Sequence, residues 1–213
     1  MDKVKTSDWQ GKELPLKHPN LRTLLGATLL AGVTACSSTS GGDISKSGSD
    51  LTYLHVSTNA PALCADSVGG WAHKGGADFQ LTLSFNTIQK PCPDGKPFLQ
   101  LKLDKDAMVT LPNGTPINTG DSVFISVVWA GGDSVLFHME PTGLVLDPSN
   151  AAELHIDYGE SEDAGDSTII RQVAIWRQPT LTDHFTKLQS VRHEDSEEIE
   201  ARLNGFSRYA LAY

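Results

Sequence analysis

Basic residues are scarce in this chain of 213 residues: 17 Lys and Arg stand against 26 Asp and Glu, for a formal net charge of −9. With no basic surplus to neutralise phosphates, nucleic acid is excluded as a partner. Long apolar runs are lacking too. The uncharged apolar stretch over 24–33 has ten residues, half of the roughly 20 that a permanent membrane-spanning helix needs. No period of collagen type is present, and a hydrophobic content of 39% excludes disorder throughout. Catalytic signatures are missing as well. There is no Gly-x-Ser-x-Gly elbow, P-loop, dinucleotide fingerprint or His-Glu-x-x-His pair.

What is present begins at the N-terminus. Residues 1–23 are polar and carry Lys3, Lys5, Lys12, Lys17 and Arg22 against Asp2, Asp8 and Glu13. The apolar run follows and ends in small residues, the order of a secretory signal peptide. The exit Val33-Thr34-Ala35-Cys36 resembles the lipobox of bacterial lipoproteins. That resemblance implies a diacylglyceryl group on Cys36, cleavage after Ala35 and acylation of the new N-terminus. Durable attachment requires more than one acyl chain, which this chemistry supplies. Ser37 follows the cysteine where lipoproteins kept at the inner membrane commonly have Asp, so the resemblance favours the outer membrane or cell surface. Loss of residues 1–35 removes five basic and three acidic residues, leaving 12 and 23 and a net charge of −11. A domain so acidic is expected to be repelled by an anionic lipid surface beyond its tether.

Residues 36–50 are rich in Ser and Gly and read as a flexible tether. From residue 51 the chain becomes a series of short runs with period-two alternation. Strands are expected over 81–85, 98–103, 123–129, 135–139, 154–158, 169–176 and 206–211. Pro112-Asn113-Gly114, Gly131-Gly132-Asp133, Pro141-Thr142-Gly143 and Gly159 supply turns between them. One stretch, 194–203, has helix-like character, though its charges could equally flank a strand. The pattern predicts an all-β chain, an antiparallel β-sandwich or barrel.

With Cys36 used by lipid, Cys64 and Cys92 remain as an even pair in an exported chain, and a disulfide between them is expected. Free thiols or metal ligation are the alternatives, but no second pair or histidine cluster nearby completes a four-ligand set.

The order of motifs in the second half carries a further resemblance. It runs from Met108-Val109-Thr110-Leu111-Pro112-Asn113-Gly114 through Val123-Phe124-Ile125-Ser126-Val127 to Phe137-His138-Met139-Glu140-Pro141-Thr142-Gly143-Leu144. Ala151-Ala152-Glu153-Leu154-His155-Ile156-Asp157-Tyr158 and Gly205-Phe206-Ser207-Arg208-Tyr209-Ala210-Leu211 complete it. This is similar to a ZU5-type β-sandwich over 98–213, with 51–97 as an added N-terminal layer holding the disulfide. The resemblance implies a protein-interaction unit with no catalytic residues and no cofactor. Some ZU5-containing domains cleave themselves at the Phe-Ser peptide with help from a histidine. Here Gly205 stands at the histidine's place, so Phe206-Ser207 is expected to stay intact, with His184 and His193 as the upstream histidines that could fold near it.

Other polar residues offer chemistry of their own. His138, His155 and Asp157 could converge on one outer sheet face as a metal site, or could simply be polar positions of solvated strands. Asp157, Glu160, Glu162, Asp163 and Asp166 form a dense acidic stretch that reads as a mobile hairpin tip or a weak calcium site. Glu140 and Glu153 could be imagined as an acid and base pair, with nothing placing them at the required separation. Trp71, Trp129 and Trp176 are expected in the core rather than in a sugar-stacking platform. The reading is therefore an envelope lipoprotein, membrane-bound through Cys36, with an envelope or surface protein as partner. A small envelope hydrolase or a carbohydrate-binding module is the alternative.

Overall fold

The computed structural model describes residues 44–213, so the expected signal peptide and Cys36 lie outside the described residues. The strands are β1 (Ser45–Lys46), β2 (Ser67–His73), β3 (Phe79–Phe85), β4 (Lys96–Leu103), β5 (Met108–Thr110), β6 (Ser122–Trp129) and β7 (Leu136–Glu140). They continue as β8 (Val145–Leu146), β9 (Ala152–Asp157), β10 (Ala174–Gln178), β11 (Phe185–Lys187), β12 (Ser190–His193), β13 (Glu198–Leu203) and β14 (Arg208–Ala212). A one-turn helix, α1 (Ser167–Ile170), is the single α-helix among the described residues.

Two antiparallel sheets hold nearly all of these strands. One has seven in the order β1-β11-β10-β14-β7-β6-β2, the other five in the order β12-β13-β9-β4-β3. β5 and β8 form a small separate ladder. Alternation explains which residues face inward. Leu81, Leu83, Leu99, Leu101, Leu154, Ile156, Ile199 and Leu203 of the five-stranded sheet share one buried cluster with Val123, Ile125, Val127, Phe137, Met139, Ile175, Tyr209 and Leu211 of the other. The fold is thus all-β, two sheets packed face to face over a common core.

A second apolar cluster lies on the outer side of the seven-stranded sheet. Leu51 packs there with Leu136, Ala174, Trp176, Phe185, Ala210 and Ala212, and Tyr53 closes against it. The expected tether therefore ends before Asp50. β1 pairs with β11, and a 3-10 turn at Gly48–Asp50 is capped by the Ser47 hydroxyl. The fit around Gly48 is close: a Cβ there would lie 3.2 Å from Tyr53 Oη and 3.4 Å from Phe185. The apolar strip of Trp176 and Phe185 is what holds this polar segment down.

Residues 51–97 supply one edge strand to each sheet, β2 beside β6 and β3 beside β4. Cys64 and Cys92 are joined by a disulfide with a Cα–Cα distance of 5.7 Å. The expected strand over 169–176 is divided: α1 occupies its start, with Asp166 as N-cap, and β10 its end. The ambiguous stretch 194–203 resolves into a 3-10 turn at Glu194–Ser196 followed by β13.

Candidate functional site

The outer face of the five-stranded sheet gathers most of the polar candidates. Register places Glu153, His155 and Asp157 of β9 beside Arg202, Glu200 and Glu198 of β13. His155 Nδ1 lies 2.8 Å from Glu198 Oε1 and 3.6 Å from Glu200 Oε2. Its Nε2 is buried without a hydrogen-bond partner, and the nearest carboxylate oxygen, on Glu153, is 3.7 Å away. His193 Nε2 approaches the same Glu200 at 3.4 Å. A groove of about 520 Å³ runs alongside, lined in part by Pro148, Leu188, Val191, Glu200 and Arg202.

His138 does not join this group. It sits on β7 in the other sheet, 3.1 Å from Thr142 Oγ1 and 3.3 Å from Glu140. Both histidines do point outward, but from opposite sides of the sandwich, so His138 does not converge with His155 and Asp157 on one face. Glu140 and Glu153 are separated in the same way, on β7 and β9. Among the described residues no group of three or more His, Cys, Asp or Glu is arranged to hold a metal ion.

The acidic stretch after β9 is pinned rather than a free hairpin tip. Ser57 N donates to Glu160 O at 2.8 Å, Glu162 N donates to His55 O at 2.9 Å, and Val56 bridges Ser161. Lys96 Nζ lies 3.2 Å from Asp157 Oδ2 and 3.1 Å from Glu160 Oε1. The ammonium thus occupies the place between carboxylates that a cation would need. Burial pulls the Lys96 pKa down, yet the hydrogen bond it donates to Glu160 and the charge of Asp157 outweigh it and leave the value raised. Asp157 is raised too: burial outweighs the Gly159 amide and Lys96. Asp157 is the more deeply buried partner, so desolvation governs its carboxyl while the carboxylates govern the ammonium. Asp166 is held low by the Thr168 hydroxyl and the amides it caps.

The Phe206-Ser207 peptide is fully buried. Arg177 Nε donates to Ser207 Oγ at 3.0 Å, and a guanidinium cannot serve as a base. His193 is engaged with Glu200 on the other sheet, and His184 lies exposed ahead of β11. The Tyr209 hydroxyl donates to Gly205 O, and burial raises its pKa. Phe206 and Tyr209 fill the core as expected.

Trp176 is buried, with its Nε1 donating to Ala212 O at 3.0 Å, and Trp129 packs on Phe98 and Phe137. Trp71 departs from expectation. It is 60% exposed, on the outward side of β2, edge-to-face with Phe124 of β6 at 5.4 Å between centroids. An apolar residue type gives no sign of which strand face it takes. Gly69 and Gly70 hide the alternation that would have shown it.

No family model, curated protein or solved structure matches this chain.

Proposed function

We propose that this chain is an envelope lipoprotein, attached through lipid on Cys36 to the outer membrane or cell surface, whose sandwich is a non-enzymatic protein-binding or structural module similar to ZU5 domains. One observation carries the reading: an apolar run too short to span a bilayer ends in Val33-Thr34-Ala35-Cys36. The Cys64–Cys92 disulfide fits an exported chain. The binding role is supported by what the candidate catalytic groups touch. Glu140 and Glu153 lie on different sheets, and Ser207 meets an arginine rather than a base. The His155 and Glu200 face, with its neighbouring groove, is the surface offered to a partner.

Metabolic labelling with radioactive palmitate tests the anchor: label should enter the chain and vanish in Cys36→Ala. Label surviving that change refutes it. Crosslinking in the native envelope should capture a protein partner, with capture weakened by Glu198→Gln/Glu200→Gln. Turnover on a panel of envelope hydrolase substrates, abolished by Glu140→Gln or Glu153→Gln, would replace the binding role with catalysis.

A further inference from the structure

The outer face of the seven-stranded sheet differs in charge and texture from the rest of this acidic molecule. Register places Lys46, Lys187 and Arg208 on it, and Glu140 is its one strand carboxylate. Lys46 and Lys187 hold their ammonium groups 5.4 and 5.9 Å from the Trp176 ring centroid. Among the described residues, none of the three cations makes an ion pair with a carboxylate; Arg208 Nη1 instead donates to Gln178 Oε1 at 2.8 Å. The opposite outer face carries four carboxylates, Glu153, Asp157, Glu198 and Glu200, among Lys96, Lys102 and Arg202.

The far flank of the same seven-stranded face is apolar. Trp71, Phe124 and Val128 are 60%, 50% and 36% exposed there. Their outward neighbours on β2 and β6 are Ser67, Gly69, His73, Ser122 and Ser126, none of them acidic. Cations on one flank of a face and exposed aromatics on the other are groups suited to headgroups and to a membrane interface.

Chain geometry limits how far the domain can stand from its anchor. The described chain enters at Ile44, itself 55% exposed, whose carbonyl accepts from Lys187 N at 2.9 Å. Eight residue steps separate it from Cys36, a span of at most about 28 Å. Six interstrand spacings put β2 roughly 29 Å from β1, so the tether is no longer than the face is wide. An anchored domain is thus held close to the lipid, entering by the edge that bears Lys46 and Lys187.

We infer that the outer face of the seven-stranded sheet rests on the anionic lipid surface that holds the anchor. Lys46, Lys187 and Arg208 meet headgroup phosphates, and Trp71 and Phe124 enter the interface. The inference rests on Cys36 carrying lipid. Net negative charge repels the molecule as a whole from such a surface, and that repulsion selects the orientation, because the carboxylate-rich face turns away.

The test uses full-length protein processed in a bacterium, extracted in detergent and reconstituted into vesicles whose acyl chains carry bromine. One set is phosphatidylcholine; the other also contains phosphatidylglycerol. Tryptophan emission should be quenched at least about twofold more on the anionic vesicles, with the excess removed by high salt. Trp71→Leu should abolish the excess. Lys46→Gln/Lys187→Gln should reduce it to the neutral-vesicle value, and the salt arm decides the matter if that variant fails to fold. Equal, salt-insensitive quenching on both vesicles with the protein still attached overturns the inference. So does Trp71 emission that answers to a neutral oligosaccharide and not to vesicles. The mass of the Cys36 peptide in the same preparation separates the two claims. Lipid on Cys36 with unquenched Trp71 removes the docking face alone, whereas an unmodified Cys36 removes both.

Discussion

At Gly205 a single hydrogen decides the local packing. A Cβ there would sit 2.6 Å from Leu144 O, in the tight approach where Phe206 N donates to that same carbonyl at 3.1 Å. Gly205→Ala should destabilise the fold by about 1–3 kcal/mol, the cost of overpacking a site that cannot relax. A denaturant midpoint unchanged by the substitution would contradict this account of the glycine. Ser207 lies two residues on, buried and bonded to Arg177. Purified chain should therefore keep its last seven residues, with the same C-terminus in wild type and Ser207→Ala by intact mass. Lys96 gives a residue-level pH dependence. Its pKa is raised above the ordinary 10.5, so the folded state favours the charged ammonium. That stabilisation is fully present below about pH 10.5 and is lost as pH rises through the higher folded value. Alkaline unfolding followed by circular dichroism should show this loss in wild type and not in Lys96→Met.

Elements differ in how plainly their residues announce them. β3, β4 and β9 alternate apolar and polar residues, because each buries one face against the opposite sheet, whereas β6 and β7 are legible as apolar runs between turns. β2 is not, since glycines fill two of its seven positions. α1 was missed although Asp166 caps it through Thr168 and Ile169, because Ile169 and Ile170 resemble the start of a strand. β13 alternates Ile199, Ala201 and Leu203 against Glu198, Glu200 and Arg202, a strand period inside a charge-rich stretch. The candidate site was only half legible for a related reason. Period two tells which side of a strand is outward, but a sandwich has two outsides. Alternation puts His138 and His155 at outward positions without telling whether they share a face, and the strand order sets them on opposite ones. The disulfide is the element-scale constraint: Cys64 and Cys92, 28 residues apart, bracket β2 and β3, which edge the two sheets. Its removal by Cys64→Ser/Cys92→Ser should cost about 3–4 kcal/mol by loop entropy. Chemical denaturation with and without reductant checks this, and equal stability of the two forms would contradict it.

On the scale of the whole molecule, the organisation is one of two unlike faces. Carboxylates and two histidines cover the five-stranded side, while the seven-stranded side carries three cations, two of them by the chain's entry, and an exposed aromatic pair on its far flank. A domain tethered at one edge can present one face to lipid and the other to a partner, and the net charge of −11 left after loss of residues 1–35 favours solubility of the exposed side. The core was legible from alternation because both sheets bury the same residue classes. The asymmetry of the faces was not, because it depends on strand order, which pairs β14 with β7 and β9 with β13 across long stretches of sequence. All of this turns on the anchor. The direct measurement is tandem mass spectrometry of the N-terminal peptide from protein extracted from its native envelope. The account predicts a chain beginning at Cys36, with lipid on its sulfur and an acylated amine. A chain beginning upstream of Cys36, with that thiol free, would contradict it.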